Sequence, residues 1–332
     1  MLKNTLAALF FALALFSGGC ASYVAKQITS AKTQLVFEQN NATPPFTITR
    51  HRYCNEQFTY CLPYLSSKPS EPFTPSMFSA SVAATTGQGE HWEKSIVVDK
   101  KWQNAFTGSV ILLPGHGSSK DSWRPMMQYL NFLGFETIAV DLMGQGESKA
   151  PYGFGMQDAR PLSHFIEQQT AANNGPLIIV GHSIGALTAL ETKQVSSVID
   201  AAVLLAPMRQ FEDATVAAAK TYRPFAALLM PDSVLRTGAR QALTSAGVAP
   251  RRTDVVALAK SVEIPIMLVA GAQDTISNVD NDLLWQGVDV YRVVNKQDSH
   301  MSVITVDAGF HHHFTQWLQA RVISRLPVKE SS

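Results

Sequence analysis

Residues Pro176 to Leu190 read PLIIVGHSIGALTAL. Leu177–Val180 is an unbroken apolar run after Gly175-Pro176, as expected of a buried strand. Ala186 to Leu190 is small-residue and apolar, which predicts a helix packed on that strand. Between them Gly181-His182-Ser183-Ile184-Gly185 spells G-x-S-x-G. A strand that turns straight into a helix holds the central residue in a strained backbone conformation. Neighbours without Cβ atoms let strand and helix approach closely. Ser183 Oγ would then stand clear of the sheet at a helix N-terminus, where developing negative charge is favoured. A bare G-x-S-x-G arises by chance in roughly one chain of this size in ten, so a tight turn with a buried serine is the plain alternative. The flanking strand and helix are what lower that rate.

Outward from this stretch, strands alternate with helices from Ser95 onward, which argues for a mostly parallel sheet. Strands are predicted at Ser95–Val98, Ser109–Leu113, Glu136–Val140, Ala201–Leu205, Pro265–Ala270 and Val288–Val294. Helices are predicted from Asp121 or Ser122 to Leu133, within Met156–Gln169, and within Phe310–Val322.

LLPGHGSS (112–119), DLMGQGES (141–148), GHSIG (181–185), GAQD (271–274) and QDSH (297–300) follow one another in this order. The order resembles the α/β-hydrolase superfamily, over about residues 95–325. Within it the chain looks like the lysophospholipase, monoacylglycerol lipase and serine-aminopeptidase branch. The resemblance implies an α/β fold with helices flanking a mostly parallel sheet, a small helical cap over residues 207–263, and a tail at 326–332. It also implies a triad in the order serine, acid, histidine. The matching positions are Ser183, Asp274 and His300.

The chemistry of each role is independent of that likeness. A serine hydroxyl is a poor nucleophile until a base takes its proton, and His300 is the candidate base. An imidazole needs a partner on Nδ1 to hold its tautomer and stabilise the imidazolium, the work expected of Asp274. Both lie in loops after predicted strands, where doubly wound sheets place their sites. Asp298 is the main rival acid and Asp280 a weaker one, each read as a solvated loop charge. The resemblance assigns two oxyanion donors, the backbone N–H groups of Ile184 and His116. Pro114 stands where family members often carry a histidine. The side chains of His116 and His182 are expected to line the cleft at most. Asp141 matches a structural family aspartate.

The expected activity is cleavage of a carboxylic ester of a lipid or small acyl substrate through an acyl-enzyme, with no cofactor. An aminopeptidase or amidase is the enzymatic rival, and a cofactor-free haloperoxidase a remoter one. Dehalogenases and epoxide hydrolases are disfavoured because those relatives need a carboxylate at position 183. A non-catalytic envelope binding protein is the rival from another class. The cap residues Phe211, Tyr222, Phe225, Leu228, Leu229 and Met230 suit an acyl chain or simply bury the cap. His311-His312-His313 has no carboxylate or cysteine at ligand spacing, so no metal is expected. A formal net charge of +1 gives no electrostatic case for nucleic acid.

Residues 1–19 read as a signal peptide. Lys3 is its basic region, Leu6–Phe16 its apolar core, and Ser17-Gly18-Gly19 precede Cys20. This resembles a bacterial lipoprotein signal and implies a lipid on Cys20. Ala21 after it suggests the outer membrane, with the chain facing the periplasm. Ordinary secretion with cleavage near Ala21 is the alternative. Cys54 and Cys61 are expected to pair in that oxidising compartment, with two free thiols as the alternative. Residues 20–94 otherwise read as loops and short strands, with strands at Phe46–Arg50 and Phe58–Tyr60, loops at Asn40-Asn41 and Pro44-Pro45, and linker over Ser66–Gly89.

Overall fold

The central strands are apolar on both faces because both faces are covered. In the computed structural model Ile111 and Leu113 point into one apolar cluster, while Val110 and Leu112 point into the other. The next strand splits the same way, with Ile179 on one side and Ile178 and Val180 on the other. The structure describes residues 19–32, 35–43, 46–69, 76–171, 174–279 and 282–325. The expected signal region through Gly18, Pro44-Pro45, Asp280 and the expected 326–332 tail lie outside them.

The main sheet has eight strands. They are β2 (Thr49–Cys54), β3 (Cys61–Ser67), β6 (Ser109–Leu113), β7 (Glu136–Val140), β8 (Leu177–His182), β9 (Ala201–Leu205), β10 (Ile266–Gly271) and β11 (Val290–Asn295). Their spatial order is β11-β10-β9-β8-β6-β7-β3-β2. Pairing is parallel from β11 through β7 and antiparallel from β7 to β3 and β2. The sheet therefore takes two strands from before residue 95.

Helices α3 (Ala159–Thr170) and α4 (Ile184–Val195) cover one face, where Leu162, Phe165, Ala186 and Leu190 are buried. Helices α2 (Arg124–Leu133) and α9 (Ala308–Trp317) cover the other through Met126, Tyr129, Phe310, Phe314 and Trp317. Between β9 and β10 the chain leaves the sheet as α5 (Phe211–Tyr222), α6 (Pro224–Leu229), α7 (Asp232–Ser245) and α8 (Val255–Lys260). Among the described residues no helix is long and apolar enough to cross a membrane.

The amino-terminal third is more ordered than its composition suggests. Residues 19–29 form α1. A separate antiparallel sheet, order β1-β4-β5, is built from β1 (Leu35–Thr43), β4 (Phe78–Thr86) and β5 (His91–Val98). Asn40 and Asn41, expected in a loop, pair with Val82 and Ser81. Part of the expected linker is β4, whose buried Phe78 packs on Phe132 of α2 with ring centroids 5.3 Å apart. Phe58–Tyr60 is the bend of the β2–β3 hairpin rather than a strand, and Phe46–Arg50 is strand only from Thr49. Cys54 and Cys61 face each other across that hairpin and form a disulfide. Closing so short a loop stabilises by about 2–3 kcal/mol in the chain-entropy picture.

Candidate active site

Ser183 links β8 to α4 with φ 54° and ψ −114°, a region that side-chain-bearing residues rarely occupy. Packing holds it there. A Cβ on Gly181 would sit 2.1 Å from the Gly185 carbonyl oxygen, and one on Gly185 would sit 2.3 Å from the Leu113 carbonyl oxygen. Two glycines thus let α4 start against β8 and β6. Ser183 N–H donates to Leu205 O at 2.9 Å, which pins the turn to the next strand.

Three side chains from three loops meet here. His300 Nε2 lies 3.0 Å from Ser183 Oγ. His300 Nδ1 lies 3.0 Å from Asp274 Oδ2. Asp274, in the loop after β10, also accepts the N–H groups of Ile276 at 2.8 Å and Ser277 at 3.1 Å, and the Ser277 hydroxyl. Burial alone would raise the Asp274 carboxyl. The hydrogen bond and charge of His300, with the Ser277 and Ile276 donors, outweigh it and bring the carboxyl down to about 2. Ser277 is 3.3 Å from His300 Nδ1 as well. Sequence reasoning missed it; its only signal is a hydroxyl three residues after an expected acid.

Asp298 is placed differently from the solvated loop charge expected. It is 2% exposed, lies 2.6 Å from Lys94 Nζ and accepts the Ser302 hydroxyl at 2.9 Å. Lys94 also donates to Thr305 O at 3.1 Å, and Trp92 Nε1 donates to Thr305 Oγ1 at 3.0 Å. Strand β5 therefore braces the loop that carries His300. A Cβ on Gly271 would lie 2.1 Å from the Asp298 carbonyl oxygen, so this loop also rests directly on the end of β10.

His182 is 3% exposed and its Nε2 lies 2.7 Å from the His300 carbonyl oxygen. A carbonyl only accepts, so His182 donates from Nε2. Burial, helped by the neighbouring His300, pushes its imidazole down to about 3. It lines the cleft, as expected, and also ties β8 to the histidine loop. His116 sits on the loop after β6 and its Nε2 donates to Ile28 O of α1 at 3.0 Å. Burial pushes its imidazole down to about 4. Ile184 opens α4, so its N–H has no carbonyl to meet within the helix.

Asp141 is fully buried against Lys120, itself fully buried, at 2.6 Å, and it accepts the N–H groups of Lys120 and Glu147 at 2.8 Å each. That pair shapes the loops after β6 and β7. His311 and His313 share hydrogen bonds with the hydroxyls of Tyr129 and Tyr291 at 2.9 and 2.8 Å. Among the described residues no group of His, Cys, Asp and Glu is arranged to hold a metal ion.

Ser183 and His300 open into a cleft of about 610 Å³. Its walls include Val24 and Ile28 of α1, Phe211, Ala218 and Tyr222 of α5, and Met230. Its formally charged lining residues among those described are Lys32 and Arg223, both cationic. No signal in the cap sequence indicated that α1 would form a wall; the apolar spacing Ala21, Val24, Ala25, Ile28 was the available clue.

The structure is similar to an esterase of Pyrococcus furiosus at 15% identity and TM-score 0.55, covering 83% of this chain and 93% of that one. It is similar to mouse alpha/beta hydrolase domain-containing protein 10 at 15% identity and TM-score 0.51, covering 81% and 96%. It is also similar to the Pyrococcus horikoshii acylaminoacyl peptidase at 12% identity and TM-score 0.52, covering 87% of this chain and 43% of that one. At such identities the likeness speaks for the fold. No curated protein sequence matches the chain. The sequence profile of the alpha/beta hydrolase family matches residues 110–329, well over half of the chain. With the parallel sheet and the sharp turn at Ser183 already in place, the chain belongs to the alpha/beta hydrolase family.

Proposed function

We propose that the chain is a serine hydrolase that cleaves a carboxylic ester, with Ser183 as nucleophile, His300 as general base and Asp274 as orienting carboxylate. The observation that carries this reading is the continuous chain Ser183 Oγ, His300 Nε2, His300 Nδ1, Asp274 Oδ2, with 3.0 Å at each junction. Ser183 Oγ attacks the ester carbonyl while His300 Nε2 takes its proton. The oxyanion is held by the backbone N–H groups of Ile184 and His116, reinforced by the N-terminal end of α4. Collapse breaks the ester C–O bond, and His300 returns the proton to the leaving alkoxide. Water, deprotonated by His300, then attacks the acyl-serine carbonyl, the acyl C–Oγ bond breaks, and His300 returns the proton to Ser183 Oγ. No cofactor takes part in these steps.

An acyl lipid or small acyl ester suits the cleft better than a peptide with a free amino terminus. An aminopeptidase must hold a substrate ammonium, and a buried cation needs a carboxylate partner. Among the described residues, the formally charged ones lining this cleft are the cationic Lys32 and Arg223. Screening acyl p-nitrophenyl esters against aminoacyl anilides tests the choice. Ester turnover is expected, and a preference for the anilides would overturn it.

The reading extends to the cell envelope. The lipoprotein-type sequence supports a mature chain that starts with lipid on Cys20, facing the periplasm from the outer membrane. From Cys20 to Ile28, α1 rises about 12 Å, so the anchor would hold the cleft near the membrane. On α6, whose Ala226 and Ala227 line the cleft, Phe225, Leu228 and Leu229 are 86%, 84% and 83% exposed, a surface that suits contact with lipid. Mass spectrometry of the mature amino terminus tests the anchor. An unmodified terminus at Ala21 or later would leave a soluble periplasmic protein.

A further inference from the structure

Helix α1 is docked too closely to serve only as a tether. Ala21, Val24 and Ile28 are 1%, 7% and 8% exposed. On the cap, a Cβ added to Gly238 of α7 would lie 2.6 Å from Val24 Cβ and 2.8 Å from the Ala21 carbonyl oxygen, so the two helices meet at backbone distance. At the other end, Ile28 O accepts from His116 Nε2. One helix thus touches both the cap and the loop expected to supply an oxyanion donor.

The side chains next to these contacts face the cleft. Tyr23, Val24, Gln27 and Ile28 line it from α1, at a spacing that places them on one helix face. Ala214, Ala218 and Ala219 of α5 line it as well. Alanines at successive turns leave room beside α5, and α1 is apolar where it enters the cleft except at Gln27. Ser183 and His300 border the same space.

We propose that α1 is a substrate-selecting wall: the acyl chain of the ester lies between the Tyr23–Gln27 face of α1 and the alanine face of α5. This rests on the ester-hydrolase reading and adds that the segment beside the anchor sets which acyl chains are accepted. The side chains at 23 and 27 are exposed at the cleft, so changing them leaves the docking contacts of α1 in place.

The test compares kcat/KM for p-nitrophenyl octanoate and p-nitrophenyl acetate in the full mature chain and in two variants, Gln27→Trp and Ala218→Phe. Either variant should lower the octanoate-to-acetate ratio by about tenfold or more, because filling an apolar pocket is felt per methylene. Acetate turnover should fall far less than octanoate turnover, because the shorter acyl group does not reach the wall. Deleting residues 21–32 should raise KM for octanoate, with folding followed by circular dichroism; the two point variants decide the matter if that deletion fails to fold. An unchanged ratio in both point variants would overturn the inference. So would an equal fall for both esters, which signals damage to the site instead of selection, or a wild type that turns over acetate alone. A wild type that hydrolyses neither ester and whose Ser183 resists a fluorophosphonate overturns the hydrolase reading itself, and this inference with it.

Discussion

His300 Nδ1 meets Asp274 Oδ2 at 3.0 Å, although Asp274 lies 26 residues earlier in the chain, while Asp298, two residues before the histidine, turns away to Lys94. The two carboxylates therefore do different work. Asp274→Asn should lower turnover by about 10⁴, because the imidazole loses its orienting acceptor. Asp298→Asn should act on stability. Breaking a buried ion pair costs about 3–5 kcal/mol, and here Asp307, 3.4 Å from Lys94, offsets part of the loss. Steady-state kinetics with melting curves for both variants checks this. A crippled but stable Asp298→Asn beside an active Asp274→Asn would reverse the assignment.

The turn at Ser183 depends on missing Cβ atoms. Gly185→Ala would push a methyl group to 2.3 Å from the Leu113 carbonyl oxygen and 2.7 Å from that of Pro114. These are backbone atoms, so α4 must move away from β6. Overpacking of this kind costs about 1–3 kcal/mol. A displacement near 1 Å at the nucleophile is worth about 10² in rate. Lower melting temperature and lower turnover together are the expected outcome, measured by circular dichroism and kinetics. A variant with wild-type activity would show that the close approach is dispensable.

Asp158 is 1% exposed and its Oδ2 meets no hydrogen-bond partner among the described residues, while Oδ1 accepts Met143 N–H at 2.6 Å. Burial raises its carboxyl to about 6, against the lowering effect of those backbone donors. The folded chain then holds this proton more tightly than the unfolded chain, whose carboxyl titrates near 3.8. Stability should fall as pH rises from about 4 to about 6 and stay lower above that, by about 3 kcal/mol. Asp158→Asn keeps the acceptor for Met143 and removes the charge. It should melt several degrees higher than wild type at pH 7 and close to wild type near pH 3.5. An Asn variant less stable than wild type at pH 7 would contradict this.

What the sequence made legible follows from where its signals are local. Leu177–Val180, Val110–Leu113 and Ala201–Leu205 are apolar throughout because each is covered on both faces, so a short window suffices to find them. Asp274 and His300 stand just past strand ends, which the alternation of strands and helices also locates. The small sheet was not legible. Asn40 and Asn41 are strand through their pairing with residues about 40 positions later, and the ladder overrides their turn preference. Asp298 was misread for the same reason: Lys94, its partner, lies some 200 residues away. The α1 wall was hidden because Ala21, Val24 and Ile28 are too few apolar residues to announce a partner.

Whether Ser183 is an activated nucleophile is tested most directly by reacting the folded chain with a fluorophosphonate and locating the adduct by mass spectrometry. One adduct is expected, on Ser183. It should be absent from Ser183→Ala and much slower to form in His300→Ala, with ester hydrolysis lost in parallel. A chain that stays unlabelled, or a Ser183→Ala variant that still hydrolyses esters at the wild-type rate, would contradict it.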